Sequence, residues 1–476
     1  MKKLIFVSIL MLTATLMATA QAPDSLWSRT YGGSGYDECF SVEQTSDGGF
    51  ILAGRTSSYG NGNYDFWLIK TDADGDTLWT KTYGGSATEY CHSVKQTADG
   101  GYILGGKTSS YGGGGYDFWV IKTTANGDTT WGRTYQNYGV ETCYAVQQTT
   151  DGGYAFAGAT GGGSNYDFWL IKTNAVGDTT WGRTYGGSSF EECYAMQQTS
   201  DGGYILAGHT YSYGAGDWDF WVVKTYANGD TTWAYPYGGS GADDCFAVQQ
   251  TTDGGYILAG ETASYGAGSW DYYLIKLNAS GDTLWTRTFG GSAMDVCAAV
   301  RQTTDGGYVL AGRTYSFGAG GWDFWLLKTD ADGDSLWSRR FGGPAEDSGN
   351  AMTLCSDGGC LIAGRTTSFG AGSRDFWIVK TGPVQLVWRR PAAPQELTFR
   401  LHFPQYLLQL NWEPVVTDTS GFPMAVDRYV IYRTDTLGNV WDSVGQPTPP
   451  DSSYYLYPIN FNDGDQYYFQ VRAVHD

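Results

Sequence analysis

A net charge of −20 over 476 residues, with acidic and basic side chains interspersed and no basic cluster, excludes a nucleic-acid or anionic-membrane surface as the main partner. The length allows two or three domains. The 69 glycines and the 16% of aromatic residues demand an architecture that uses both together.

In chain order, residues 1–22 read as a secretory signal peptide. Lys2 and Lys3 form its basic start and Leu4–Leu16 its apolar run, with small residues from Ala18 to Ala22 at the cleavage site. That run is shorter than the ~20 residues a membrane span needs, and no other stretch approaches it. The mature chain is therefore expected to be exported, secreted or held at the cell surface, without a membrane span and as a monomer.

Next comes a repeat. Its outer tryptophans stand at Trp27, Trp79, Trp131, Trp181, Trp233, Trp285 and Trp337, spaced 52, 52, 50, 52, 52 and 52 residues apart. A fixed period of this size decides the fold. Each unit holds four runs rich in Tyr, Trp, Phe, Ile, Val and Thr, joined by Asp-Gly-Gly and Gly-Asp turns of hairpin type. Seven copies of a four-stranded antiparallel sheet make a seven-bladed β-propeller over residues 23–382. Ser25–Tyr31 is a fourth-strand sequence standing alone, and the last unit has only three strands, ending at Asp375–Thr381. The N-terminal strand is therefore expected to complete the last blade, which removes an open edge.

Six units carry a cysteine at one position: Cys39, Cys91, Cys143, Cys193, Cys245 and Cys297, with Gly349 in the seventh. Scattered round a ring, they cannot converge on one metal and read as small buried thiols. Cys355 and Cys360 flank the last Asp-Gly-Gly turn at places where Thr45 and Phe50 are expected to face each other, so a cross-strand disulfide is a candidate there.

Asp37, Glu89, Glu141, Glu191, Asp243, Asp295 and Asp347 form an acidic ring two residues before that cysteine position. Lysines from Lys70 to Lys380 and third-strand aspartates from Asp65 to Asp375 recur as regularly. Groups that every blade needs equally belong to the architecture, with each carboxylate paired to lysine or to loop amides. The Asp-Ala-Asp-Gly-Asp segments read as turns, and no cofactor or metal site is expected.

Strand alternation puts both hairpin turns on one face of the disc and the longer Gly-rich loops on the other, which is the candidate binding face. Tyr59, Tyr111, Tyr213, Tyr265, Phe317 and Phe369 occupy matching places there. The third unit departs, with a loop two residues shorter around Gly161–Asn165. Where five units have Arg, Lys or His after the second strand's glycine, Ala159 and Glu261 stand in the third and fifth. His209 and Glu261 make an acid/base candidate.

Residues 383–395 read as a proline-bearing linker, after which the period ends. Leu408–Val415, Asp427–Asp435 and Asp463–Val474 resemble strands of a fibronectin type III domain over 396–476, a β-sandwich. Trp412 matches its core tryptophan, Tyr429–Tyr432 its third strand and Tyr467 its tyrosine corner, and a seventh strand would fall beyond Asp476. Across residues 25–381, the signature Trp-x-Arg-Thr-Tyr-Gly-Gly-Ser, Asp-Gly-Gly-Tyr-Ile-Leu-Ala-Gly and Asp-Phe-Trp-Leu-Ile-Lys-Thr resembles a family of secreted bacterial propeller proteins. That resemblance implies a fold and a compartment but no activity. The expected function is non-enzymatic: binding or scaffolding of a glycan or surface protein through the aromatic loop face. The rival is a secreted polysaccharide-degrading glycoside hydrolase using two carboxylates in different environments.

Overall fold

The structure is a computed structural model that describes residues 22–137, 139–318 and 320–384, together with the backbone of six strands between 398 and 474. Residues 22–385 form one compact unit. Within it, the first repeat folds as Asp37–Gln44, Phe50–Thr56, Asp65–Thr71 and Thr77–Tyr83. The third strand is buried throughout and the second nearly so, because each lies between two neighbouring blades; the fourth, at the rim, alternates exposed with half-buried positions.

Seven such four-stranded antiparallel sheets are present, so the unit is a seven-bladed β-propeller. The first strands touch one another round the ring and line an axial channel of about 350 Å³. The seventh blade takes its outer strand from the start of the chain: Trp27 pairs with Lys380 and Tyr31 with Phe376.

Each Asp-Gly-Gly turn is a lock. Gly48 has φ +85°, which only glycine adopts without strain, while a side chain on Gly49 would meet the Thr71 carbonyl and the Lys70 ammonium. Asp47 accepts hydrogen bonds from the Thr45 hydroxyl, the Gly49 amide and Lys70 Nζ. The same lysine–aspartate pair recurs in all seven blades at 2.7–3.1 Å. The lysines thus serve this turn, which leaves loop amides, the other alternative, as partners of the acidic ring. The register explains it: Ile51, four residues past the turn aspartate, lies opposite Lys70.

Three ladders join the blades. An aromatic ring from each third strand packs on the tryptophan or tyrosine of the next, from Phe66 on Trp119 to Phe376 on Trp67, with centroids 4.5–5.3 Å apart at all seven joints. Glutamines at the ends of first strands accept from the turn amide of the preceding blade, as Gln96 does from Ser46 at 2.8 Å and Gln44 from Ser356 at 2.7 Å. Rim tyrosines donate to the next blade's outer turn, as Tyr31 does to Gly75 O.

The six ring cysteines are fully buried in the cores between blades, where neighbouring sheets meet. The disulfide candidate is corrected. Cys355 and Cys360 are buried free thiols, and Cys360 lies opposite Leu354, as Phe50 lies opposite Gln44 rather than Thr45. Cys355 is a turn residue whose amide donates to Gly359 O, and Cys360 Sγ lies 3.4 Å from Thr381 Oγ1.

Beyond the propeller, two three-stranded sheets are described. One joins Thr398–His402, Leu407–Asn411 and Ser453–Leu456; the other joins Val440–Gly445, Arg428–Thr434 and Tyr468–Val474. Trp412, Tyr467 and residues 1–21 of the expected signal peptide lie outside the described residues, as does most of the linker.

Two outcomes are expected. Deleting residues 22–31 leaves the buried strand Asp375–Thr381 as an open edge, so calorimetry should show a lower, broader melt and size-exclusion chromatography should show aggregates. An unchanged melt would mean that the seventh blade stands with three strands. Thiol titration of the full chain should find no reactive cysteine when folded and eight in denaturant; six in denaturant would mean that one disulfide exists.

Candidate functional site

The loop-face end of the axis is where the units stop agreeing. Cys39 enters the core between blades, its neighbour Phe40 lines the channel, and Glu38 on the other side meets cations of the second strands. The position after the cysteine reads Phe40, His92, Tyr144, Tyr194, Phe246, Ala298 and Asn350, all lining the channel. The position before it reads Glu38, Tyr90, Thr142, Glu192, Asp244, Val296 and Ser348. Opposite these, on the second strands, stand Arg55, Lys107, Ala159, His209, Glu261, Arg313 and Arg365. Sequence reasoning singles out only the second-strand position. The axial residues carried the same signal, variation within otherwise repeated text.

These side chains form a ring of charges. Glu38 accepts from Arg55 at 2.6 Å and from Arg365 at 2.7 Å, so the joint between first and last blades is closed by one carboxylate. Arg55 also lies over Tyr64 and Tyr90, 4.8 and 4.6 Å from their centroids. On the far side, His209 Nδ1 lies 2.6 Å from Asp244 Oδ1, and the Tyr194 hydroxyl donates to Glu192 at 2.7 Å.

His209 and Glu261 are therefore not a direct pair. Asp244 stands between them, bonded to the histidine and directly across the sheet from Glu261. Burial pushes the Glu261 carboxyl up to about 8, Asp244 adds to the rise and Arg313 offsets part of it. Its Oε2 is buried with no hydrogen-bond partner. Deeper in the channel, burial holds His92 neutral, its pKa lowered to about 3, with Lys107 and Arg55 contributing.

An aromatic cleft adjoins this arc. Phe190, Tyr211 and Trp218 wall a cavity of about 480 Å³ that also touches His209 and Glu192. His209 stacks on Trp218 with centroids 5.3 Å apart and planes 22° apart. Phe190 and Tyr211 are among the exposed aromatic residues, and Trp218 Nε1 is buried without an acceptor. The shortened third loop is a tight hairpin: Gly162 pairs with Asn165, and Gly163 takes φ +71°. Next to it, Tyr166 stacks on Phe190.

The expected loop aromatics stand elsewhere. Tyr59, Tyr111, Tyr213 and Tyr265 each donate a hydroxyl to a glycine carbonyl of the preceding inter-blade loop, at 2.8–3.0 Å. Phe317 and Phe369 lack the hydroxyl, and all six rings pack on a third-strand aromatic. They are 37–47% exposed, on loops between second and third strands and so farther from the axis than the first-strand side chains.

The acidic ring is buried in all seven blades. Asp37 takes the Gly33 amide and the Ser58 hydroxyl, and Glu89 takes the Gly85 amide and the Thr108 hydroxyl. The pairing is thus with loop amides and hydroxyls. No group of three metal-ligating side chains occurs among the described residues.

No family model matches the chain, and no curated protein matches it. Solved structures are similar in fold at low identity. Sqt1 of Chaetomium thermophilum, bound to the N-terminus of ribosomal protein L10, is 12% identical with a TM-score of 0.43 over 75% of this chain and 99% of that one. A puromycin hydrolase is 12% identical with a TM-score of 0.46 over 81% and 59%. An ulvan lyase of polysaccharide lyase family PL25 is 10% identical with a TM-score of 0.48 over 75% and 98%.

Glu261 gives a signed pH prediction. Between its ordinary value of 4.5 and about 8 the unfolded chain loses this proton while the folded chain keeps it, so stability falls across that window, by up to roughly 1.4 kcal/mol per pH unit. Thermal melts from pH 4 to 9 should therefore show no gain for Glu261→Gln at the acid end. Its advantage over the parent should grow through neutral pH and level off above about 8. A constant difference across the range would mean that Glu261 ionises normally.

Proposed function

We propose that the protein is exported and acts at the cell surface as a binding or scaffold module, taking a glycan or a protein segment at the axial mouth of its loop face. One observation carries this reading. Seven near-copies of one sheet differ in chemistry where aromatic and hydrogen-bonding side chains gather round a channel mouth, on strands that hold them rigidly. Trp218, Tyr211 and Phe190 suit stacking against a sugar ring or burial of a partner side chain. The six loop aromatics, Tyr59 among them, form an outer zone for an extended ligand. The C-terminal sheets fit the same picture: the pairing of first, second and fifth strands in one and fourth, third and sixth in the other supports a fibronectin type III-like module.

A second reading has its own observation. Burial favours the protonated form of Glu261, while Asp244 across the sheet is bonded to His209, so two neighbouring carboxyl groups have different surroundings, as an acid and a base or nucleophile must in glycoside hydrolysis. Under it, Glu261 is the proton donor and Asp244 its counterpart.

A glycan array probed with the full chain, with reducing-end release measured on each bound polymer, separates the two. Binding without release, weakened about tenfold or more by Trp218→Ala, is the expected result, since truncating an aromatic anchor of a binding site costs roughly 2 kcal/mol or more. Release that disappears in Glu261→Gln would establish the hydrolase instead. Binding that ignores Trp218→Ala would remove the cleft from the account.

A further inference from the structure

The charges round the mouth are unevenly divided. Four consecutive blades, the sixth, seventh, first and second, contribute Arg313, Arg365, Arg55 and Lys107. Among the described residues Glu38 is the one carboxylate in ion-pair contact with them, and Arg55 and Arg365 share it, while Glu261 acts on Arg313 and Glu192 on Lys107 only from beyond that distance. Among the described residues, Lys107 and Arg313 have no carboxylate within ion-pair distance. They lie over aromatic rings instead: Lys107 Nζ 4.6 Å from the Tyr116 centroid, and Arg313 5.1 Å from that of Trp322. Such contacts fix a cation in place without neutralising it. Burial lowers the pKa of both, and the Nε atoms of Arg55 and Arg365 are buried without acceptors. In a chain of net charge −20 this arc is a local cationic excess short of an anion. Half-buried cations left so lose hydration without regaining partners, and an oxyanion, which guanidinium groups bind bidentately, supplies acceptors that the chain does not.

The opposite arc has the other chemistry. Asp244 with His209, and Glu192 with Tyr194, offer acceptors and donors suited to hydroxyl groups, next to the aromatic cleft. An acidic peptide would bring further carboxylates against Glu192 and Asp244, whereas an acidic sugar presents one anionic group and several hydroxyls. Resting on the binding reading above, we infer that the ligand of the axial mouth is an anionic saccharide. Its acid group sits among Arg55, Lys107, Arg313 and Arg365, and its hydroxyls meet the His209–Asp244 arc.

Titration calorimetry on the full chain tests this with oligogalacturonate, dextran sulfate, neutral dextran and poly-glutamate. The expected result is binding of the uronate or the sulfated polymer, weakened by added salt and absent for neutral dextran. Uronate alone points to a carboxylate as the acid group, and dextran sulfate alone to a sulfate ester. Arg313→Gln and Lys107→Met should each cost about tenfold or more, as loss of a charge-assisted contact does. The conservative Arg313→Lys should retain part of the affinity, and Arg339→Gln, at the exposed rim, should retain all of it. Lys107 has no ion pair to lose, so Lys107→Met decides the matter if Arg313→Gln unfolds. Neutral dextran bound as tightly as the acidic polymers would overturn the inference and leave the glycan reading standing. Poly-glutamate bound more tightly than any saccharide, or unchanged affinity in both cation variants, would also overturn it. Binding of no saccharide at all would sink the glycan reading together with it.

Discussion

The contact on which the rest depends is the aromatic joint between blades. Each third strand presents a Phe or Tyr to one neighbour and a Trp or Tyr to the other, and seven such joints run round the ring without a break. An aromatic pair contributes roughly 0.5–1.5 kcal/mol beyond the area it buries. A blade touches only its neighbours, so the array behaves as a line of units until its ends meet. The seventh joint, Phe376 on Trp67, requires the last sheet to be complete, which is why the N-terminal strand lies on Asp375–Thr381. Closure and ring stability are one constraint.

A core placed between blades leaves the axis free of packing duty. In every blade the first strand bulges just after the cysteine position, between Cys39 and Ser41 in the first. The facing Gly54 allows this approach, since a Cβ there would lie 1.9 Å from Glu38 O. The residue after the cysteine position is thereby aimed at the axis, and the one before it set opposite the second strand, by backbone that every unit shares. Side chains held this way sit on rigid strands, with their precision supplied by the architecture and their identity left open.

Much of this was legible in the text. The period gave the blades, Asp-Gly-Gly the hairpins, and the solitary Ser25–Tyr31 the closing strand. What escaped was whatever depended on contacts between units. Lys70 is as regular as the carboxylates at the other end of the blade, Asp37 and Asp65, but sheet register sets it beside Asp47 at the hairpin turn. Glu261 departs from the pattern and His209 lies in the unit before it, yet their link is Asp244, which belongs to the first strand of the fifth blade. Arg365 and Glu38 are 327 residues apart and meet only because the ring closes. The hydroxyls of Tyr59, Tyr111, Tyr213 and Tyr265 bond to the preceding inter-blade loop, a contact that the text of one repeat does not display.

The third blade shows what the axial positions would be if architecture alone chose them. It carries Thr142 and Ala159 where its neighbours have Tyr90 with Lys107 and Glu192 with His209, and it keeps the same bulge, register and aromatic joints. Neither a charge nor a large side chain is needed there for a blade to form. Burying a charged group removes hydration that partners at the site only partly replace, so each ionisable axial residue costs stability that Thr and Ala would not. Groups that the fold does not need, gathered at one channel mouth beside an aromatic cleft, are best explained by what they bind.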